Sequence, residues 1–90
     1  MTNATFRVGP PASQVIETDV GGDLGLYDAH QERVLILNRT ASDVWLLCDG
    51  HHTPEEIVGI LAGVYDASPD DIRGDVERTL ERFRAEGFLP

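Results

Sequence analysis

The first half of the chain contains three short runs of β-branched and apolar residues, and each run ends at a polar or glycine-rich turn. The runs at 14–20, 24–28 and 33–38 have the residue types that favour strands. Gly21-Gly22 between the first two predicts a tight turn, and a polar loop at 29–32 separates the last two. Because the connections are short, we expect an antiparallel meander.

Three amphipathic stretches follow and predict helices over 40–49, 54–65 and 69–86. Thr53-Pro54-Glu55-Glu56 is a capping box with proline at the first helical position, and Ser68-Pro69 begins the third helix in a similar way. Gly50 and Gly87 are expected to end the first and third helices. The residues expected to face inward are Ala41, Val44, Trp45 and Cys48, then Ile57, Ile60, Leu61 and Val64, then Ile72, Val76, Leu80 and Phe83.

This order predicts an α+β domain, a three-stranded antiparallel β-sheet followed by three helices on one side of it. The same elements also describe a winged helix-turn-helix. Gly9, Pro10 and Pro11 argue against regular structure near the start of the chain. We therefore expect residues 1–13 to be a flexible N-terminal arm, with Phe6 and Val8 able to dock locally, and residues 14–90 to be the folded domain.

Charge and cysteine content exclude several classes of protein. Sixteen acidic residues against seven basic ones, all arginine, give a net charge of −9. Such a chain is repelled by phosphate backbones and by anionic membrane surfaces, so neither nucleic acid nor membrane is an expected partner. Cys48 has no second cysteine with which to form a disulfide, and no apolar signal segment is seen, so the cytoplasm is the expected location.

The run Val34-Leu35-Ile36-Leu37 makes the third strand unusual, because a half-buried strand normally alternates apolar and polar residues. As the last strand of a meander it is expected at a sheet edge, and natural proteins cover such edges. Two ways of covering the edge of the third strand are compatible with the sequence. One is the third helix or the N-terminal arm, and the other is a guest strand from a second chain, bound by backbone hydrogen bonds.

Arginines concentrate on the third strand and the third helix. A groove between these elements would have an apolar floor and basic rims, although solvated ion pairs on a helix surface are the more common role for any single arginine. The six arginines concerned are Arg33, Arg39, Arg73, Arg78, Arg82 and Arg84.

Several short motifs, taken in order, resemble the PqqD-like family, whose members are recognition elements for the precursors of ribosomally made, post-translationally modified peptides. The motifs are Leu37-Asn38-Arg39-Thr40-Ala41, Val44-Trp45, Asp49-Gly50, Thr53-Pro54-Glu55-Glu56-Ile57, Asp75-Val76, Leu80, Phe83 and Gly87-Phe88-Leu89. A free-standing, acidic member of this length is similar to the proteins of lasso-peptide pathways. Thr79 departs from the pattern, since relatives often have a larger apolar residue there.

The resemblance implies that a leader peptide binds antiparallel to strand 33–38, beside helix 69–86, without catalysis or cofactor. The implied partners are the precursor peptide and a leader peptidase, cyclase or other modifying enzyme. The flank of the helix that contains residues 75, 79 and 82 is expected to face the peptide. The implied peptide-binding residues are Arg33, Val34, Leu35, Ile36, Leu37, Ile72, Asp75, Val76, Thr79, Arg82 and Phe83.

Other functions have less support. A PqqD-type peptide chaperone for a radical SAM enzyme is the nearest alternative, and a winged-helix DNA-binding regulator fits the topology but not the charge. Cys48 with His51 or His52 could suggest a nucleophile, but Cys48 falls on the predicted buried stripe, where cysteine usually acts as a small hydrophobe. These residues and His30 do not form a recognisable zinc motif, so no metal site is expected.

Overall fold

A computed structural model of the chain describes residues 6–90; the part of the predicted arm at 1–5 lies outside the described residues. Three strands, β1 (Val15–Val20), β2 (Asp23–Asp28) and β3 (Arg33–Leu37), precede three helices. The helices are α1 (Arg39–Leu46), α2 (Pro54–Tyr65) and α3 (Pro69–Ala85). The predicted α+β class and the order of elements are confirmed. None of these helices is long and apolar enough to cross a membrane.

The sheet is an antiparallel meander in the order β1-β2-β3, so β3 lies at an edge as predicted. Gly21 and Gly22 form the two-residue turn between β1 and β2, and both have positive φ angles, +62° and +94°. Such a turn matches the twist of the flanking strands and favours glycine at both positions.

Asp28 fixes the loop that leads into β3. Its buried carboxylate accepts hydrogen bonds from the backbone N–H groups of His30, at 2.9 Å, and Gln31, at 3.2 Å. Burial alone would raise the pKa of Asp28, but these bonds and the Gln14 side chain hold that pKa below its usual value. The loop at 29–32 is therefore held by a charged acceptor at the end of β2.

Each helix begins at a side-chain cap. Asn38 accepts from the Ala41 N–H, Thr53 and Glu56 form the predicted capping box, and Ser68 accepts from the Asp71 N–H. Helix α1 is shorter than predicted, because Leu47 and Cys48 donate to the carbonyls three residues earlier and tighten its last turn.

The buried face of α2 differs from the predicted one. Val58 and Ala62 are buried beside Ile57 and Leu61, whereas Ile60 and Val64, expected to face inward, are 40% and 61% exposed. Apolar residues and glycines surround most of this helix, so the spacing of the sequence is compatible with more than one rotation. Packing against α3 selects the observed one.

The core lies between the inner face of the sheet and the helices. Trp45 and Phe83 meet edge to face, with ring centroids 5.2 Å apart, and the Trp45 Nε1–H donates to Glu17 Oε2 at 2.7 Å. Phe88 and Leu89, which follow α3, are buried and close the core. These contacts join β1, α1 and α3 and so fix the position of α3 relative to the sheet.

The end of the predicted arm is docked against the domain. Val8 is buried; its N–H donates to the His52 carbonyl and its carbonyl accepts from Gly50 N–H, both at 2.8 Å. Gly9 has a φ of +91°, and a Cβ at this position would lie 2.1 Å from the Cys48 carbonyl oxygen, so the chain requires glycine there. Val8 therefore docks locally, as expected of this residue, and its β-bridge to His52 holds the segment against the domain.

Replacing Val8 with alanine tests whether this docking stabilises the domain. We expect Val8→Ala to lower the free energy of unfolding by about 2 kcal/mol, since it removes two buried methyl groups, and to lower Tm by about 10 °C. Phe6→Ala, at a largely exposed position, is the control and should change stability by less than about 0.5 kcal/mol. Equal stability of the Val8 variant and the wild type in urea titration would mean that the segment contributes nothing.

Candidate functional site

A groove of about 490 Å³ runs between the free edge of β3 and helix α3. Its walls come from the end of β3, the start of α1 and one flank of α3, and Phe83 forms part of its floor. We call this the β3–α3 groove. Its lining residues are Ile36, Leu37, Asn38, Thr40, Ala41, Asp75, Arg78, Thr79, Arg82 and Phe83.

The register of the sheet determines which backbone groups of β3 face this groove. Ala29 N–H donates to the Gln14 carbonyl, and the two-residue turn pairs Val20 with Asp23. Because antiparallel hydrogen-bonded pairs alternate, the odd-numbered residues of β2 bond to β1 and the even-numbered ones bond to β3. On β3, Arg33, Leu35 and Leu37 therefore pair with β2. The N–H and C=O groups of Val34 and Ile36 point away from the sheet.

No main-chain segment within residues 6–90 occupies that side of β3. The side chains of Leu35 and Leu37 are buried under the sheet, whereas Val34 and Ile36 are 57% and 46% exposed. Within the part of the chain that the structure describes, neither the arm nor α3 pairs with this edge. β3 thus presents two outward donors and two outward acceptors next to a groove.

Ion pairs within the chain balance the charges around the groove. Arg78 pairs with Asp75, and Glu86 accepts from both Arg82, at 3.2 Å, and Arg33, at 3.5 Å. Glu86 thereby links the start of β3 to the end of α3 at one end of the groove. Exposed pairs of this kind contribute little to stability, so their partners can be exchanged when another charged group enters.

Six of the predicted binding residues line the groove: Ile36, Leu37, Asp75, Thr79, Arg82 and Phe83. The flank of α3 that contains residues 75, 79 and 82 lines this groove, and its contact with a peptide stays a prediction. Arg33, Val34 and Leu35 belong to the same strand without lining the cavity. Ile72 and Val76 are not brought to the groove, because their stripe of α3 is buried against the core.

The sequence interpretation missed Asn38, Thr40, Ala41 and Arg78 as lining residues. Helical spacing could have identified Arg78, since positions 75, 78, 79 and 82 form one stripe of α3. The other three follow β3 directly, where the chain turns into α1. The basic rim of the groove is smaller than predicted. Arg39 and Arg84 line other cavities, and Arg73 pairs with Glu55 and Asp70.

Cys48 is not arranged as a nucleophile. Burial raises the pKa of its thiol to about 12, and its Sγ–H donates to the Val44 carbonyl at 3.2 Å. His52 Nδ1 contacts the Leu47 carbonyl and Asp49 instead. Since the thiolate is the reactive form, this environment opposes cysteine chemistry. Within residues 6–90, no three ligating side chains converge on a possible metal position.

Two solved structures share this fold over nearly their whole length. One is TbiB1 in complex with the TbiA(beta) leader peptide, with a TM-score of 0.79 and 18% identity over 90% of this chain and 94% of that one. The other is a lasso peptide synthetase B1 complexed with the leader peptide, with a TM-score of 0.77 and 21% identity over 90% and 95%. At these identities the likeness establishes the fold.

Comparison with curated proteins gives no match. The family model described as "Coenzyme PQQ synthesis protein D (PqqD)" matches residues 25–89, which include most of β2, all of β3 and all three helices. The matched region covers more than two thirds of the chain and contains the β3–α3 groove. The chain therefore belongs to the PqqD family.

Proposed function

We propose that the protein binds the leader region of a ribosomally made precursor peptide as an added strand on β3 and delivers it to a modifying enzyme of lasso-peptide biosynthesis. The observation that carries the proposal is the free side of β3, where Val34 and Ile36 direct their backbone groups outward beside the β3–α3 groove. A guest strand would gain affinity from these groups and specificity from side chains placed in the groove.

The second edge of the sheet is less suited to a guest strand. By the same alternation, Val15, Glu17 and Asp19 direct their backbone groups away from β2 on the β1 side. The Val15 N–H already donates to the Ala12 carbonyl, and two carboxylates lie along this edge. Charged residues at an edge disfavour strand addition, so β3 is the preferred edge.

The two similar structures support this proposal, because each was solved with a leader peptide. A peptide chaperone that serves a radical SAM enzyme is the second candidate, and the description of the matching family favours it. Both candidates use the same groove. They differ in the enzyme that receives the peptide, and the cytoplasm, where precursors are translated, is the expected location for either.

The proposed function is that of a binding module rather than that of an enzyme or a DNA-binding regulator. The thiol of Cys48 is buried with a raised pKa, and α3 does not present a basic face. Arg73, Arg78 and Arg82 of this helix each pair with a carboxylate of the chain. With a net charge of −9, the protein lacks the excess of positive charge on which DNA affinity depends.

Proline substitution on β3 tests the added strand. In a titration with the fluorescently labelled precursor peptide encoded beside the gene, we expect a Kd below about 100 μM for the wild type. Ile36→Pro removes an outward N–H at an edge where proline is tolerated, and should weaken binding at least about tenfold. Ile36→Ala removes most of the same side chain but keeps that N–H, so it is the matched comparison and should bind clearly more tightly than Ile36→Pro.

Leu35→Pro should instead unfold the domain, because the Leu35 N–H pairs with β2. Circular dichroism distinguishes this unfolding from a loss of peptide binding by a folded domain. Wild-type protein that shows no binding at 100 μM peptide, or an Ile36→Pro variant that binds as tightly as Ile36→Ala, would contradict strand addition at β3.

Alanine substitutions on α3 test which flank contacts the peptide. Asp75→Ala and Thr79→Ala should each change the peptide Kd by about threefold or more, a change of about 0.7 kcal/mol, with little loss of stability because both side chains are solvent-accessible. Glu77→Ala and Glu81→Ala, on the opposite flank beside Leu80, should leave the Kd unchanged. The reverse pattern would show that the peptide lies on the other flank.

A further inference from the structure

Two arginines share one carboxylate at one end of the β3–α3 groove. Glu86 Oε1 accepts from Arg33 Nη1 at 3.5 Å, and Glu86 Oε2 accepts from Arg82 Nε at 3.2 Å. A guanidinium has several N–H donors in a planar fork, which suits a two-point contact with a carboxylate. Within residues 6–90 each of these arginines donates through one nitrogen. Both therefore retain donors for a second acceptor.

The other carboxylate beside Arg33 is already bound. Asp28 lies opposite Arg33 in the register of β2 and β3. Its buried carboxylate accepts from the backbone N–H groups of His30 and Gln31, and among the described residues it forms no ion pair with Arg33. This end of the groove thus has more cationic donors than carboxylate oxygens to receive them.

Glu86 stands where a helix does not favour a carboxylate. It is the C-cap of α3, next to the negative end of the helix macrodipole, whereas Arg82 and Arg84 in the last turn have the charge that this end favours. Its partners Arg33 and Arg82 are exposed, so the two ion pairs add little to stability. Neither the helix nor the ion pairs therefore explain an acidic residue at this position.

The alternation of β3 directs Arg33 to the side of the sheet that faces α3. Leu35 and Leu37 are buried on that side, and residues two apart on a strand point the same way. On a strand added to β3, the residue opposite Arg33 would point to this side too, with its Cβ about 5 Å from the Arg33 Cβ. Opposite charges in such cross-strand pairs are favourable. A guest side chain at this position extends towards Arg33, Arg82 and Glu86.

We propose, on the basis of the function proposed above, that the peptide carries an aspartate or glutamate opposite Arg33, and that its carboxylate replaces Glu86 on Arg33 and Arg82. Glu86 is then an internal competitor that occupies both arginines in the empty protein. An acidic guest residue forms new ion pairs when it displaces Glu86, whereas a neutral one gains neither pair. The exchange makes this end of the groove selective for an acidic residue in the leader.

Charge-neutralising substitutions in the protein test the exchange. In the titration with labelled precursor peptide, Arg82→Gln should weaken binding at least about threefold, because the guest carboxylate loses a cationic partner. Glu86→Gln should strengthen binding about threefold, because it removes the competing charge. Arg84→Gln and Glu81→Gln make the same charge changes on the opposite flank of α3. These controls should stay within about 1.5-fold of the wild type, because water and salt screen charges on that flank.

Amide replacements in the peptide identify the guest carboxylate. Each aspartate or glutamate of the precursor is replaced singly by asparagine or glutamine, and each peptide is titrated against the wild type and Arg82→Gln. We expect one of these peptides to bind the wild type at least about threefold more weakly. With that peptide Arg82→Gln should lose nothing further, since effects of groups in direct contact are not additive.

Several results would overturn the carboxylate exchange while leaving strand addition intact. They are equal binding by all the peptides, equal effects of Arg82→Gln and Arg84→Gln, an additive loss in the double substitution, and unchanged or weaker binding by Glu86→Gln. Failure of the wild type to bind the precursor peptide at all would overturn the proposed function first, and the carboxylate exchange with it.

Discussion

The proposed function depends on the outward-facing backbone groups of β3, with which no strand within residues 6–90 pairs. β3 pairs with β2 through Arg33, Leu35 and Leu37, and directs the backbone groups of Val34 and Ile36 away from the sheet. Backbone groups that face outward at an edge can be satisfied by water or by another chain. In this fold the free edge lies next to a groove, so an incoming strand finds both hydrogen-bonding groups and space for its side chains.

The rest of the architecture keeps that groove open. Asp28 holds the loop before β3, and the Asn38 cap begins α1 directly after it, so both ends of the strand are fixed. The Trp45–Phe83 contact sets α3 in place below the sheet, while the ion pairs of Glu86 join it to β3 at one end. Helix and edge strand are thus held apart along most of their length by contacts made elsewhere in the core.

Much of this arrangement follows from local signals in the sequence. The capping box at Thr53, the β-branched runs and the glycine turn predict the elements, and the Val34–Leu37 run predicts an edge that needs a cover. The rotation of α2 could not be predicted, because its apolar residues permit more than one buried face and packing against α3 decides between them. Docking of Val8 depends on pairing with His52, a contact distant in sequence. The family resemblance implies that Ile72 and Val76 line the groove, but both side chains are buried in the core.

Amide hydrogen exchange resolved by residue is the most direct measurement of strand addition. On saturation with the precursor peptide, the N–H groups of Val34 and Ile36 should exchange at least about tenfold more slowly, as expected for amides newly enclosed in a ladder. Leu35, whose N–H already pairs with β2, should change little. Peptide binding that leaves Val34 and Ile36 unprotected, or that protects Glu17 and Asp19 on β1 instead, would contradict the central claim.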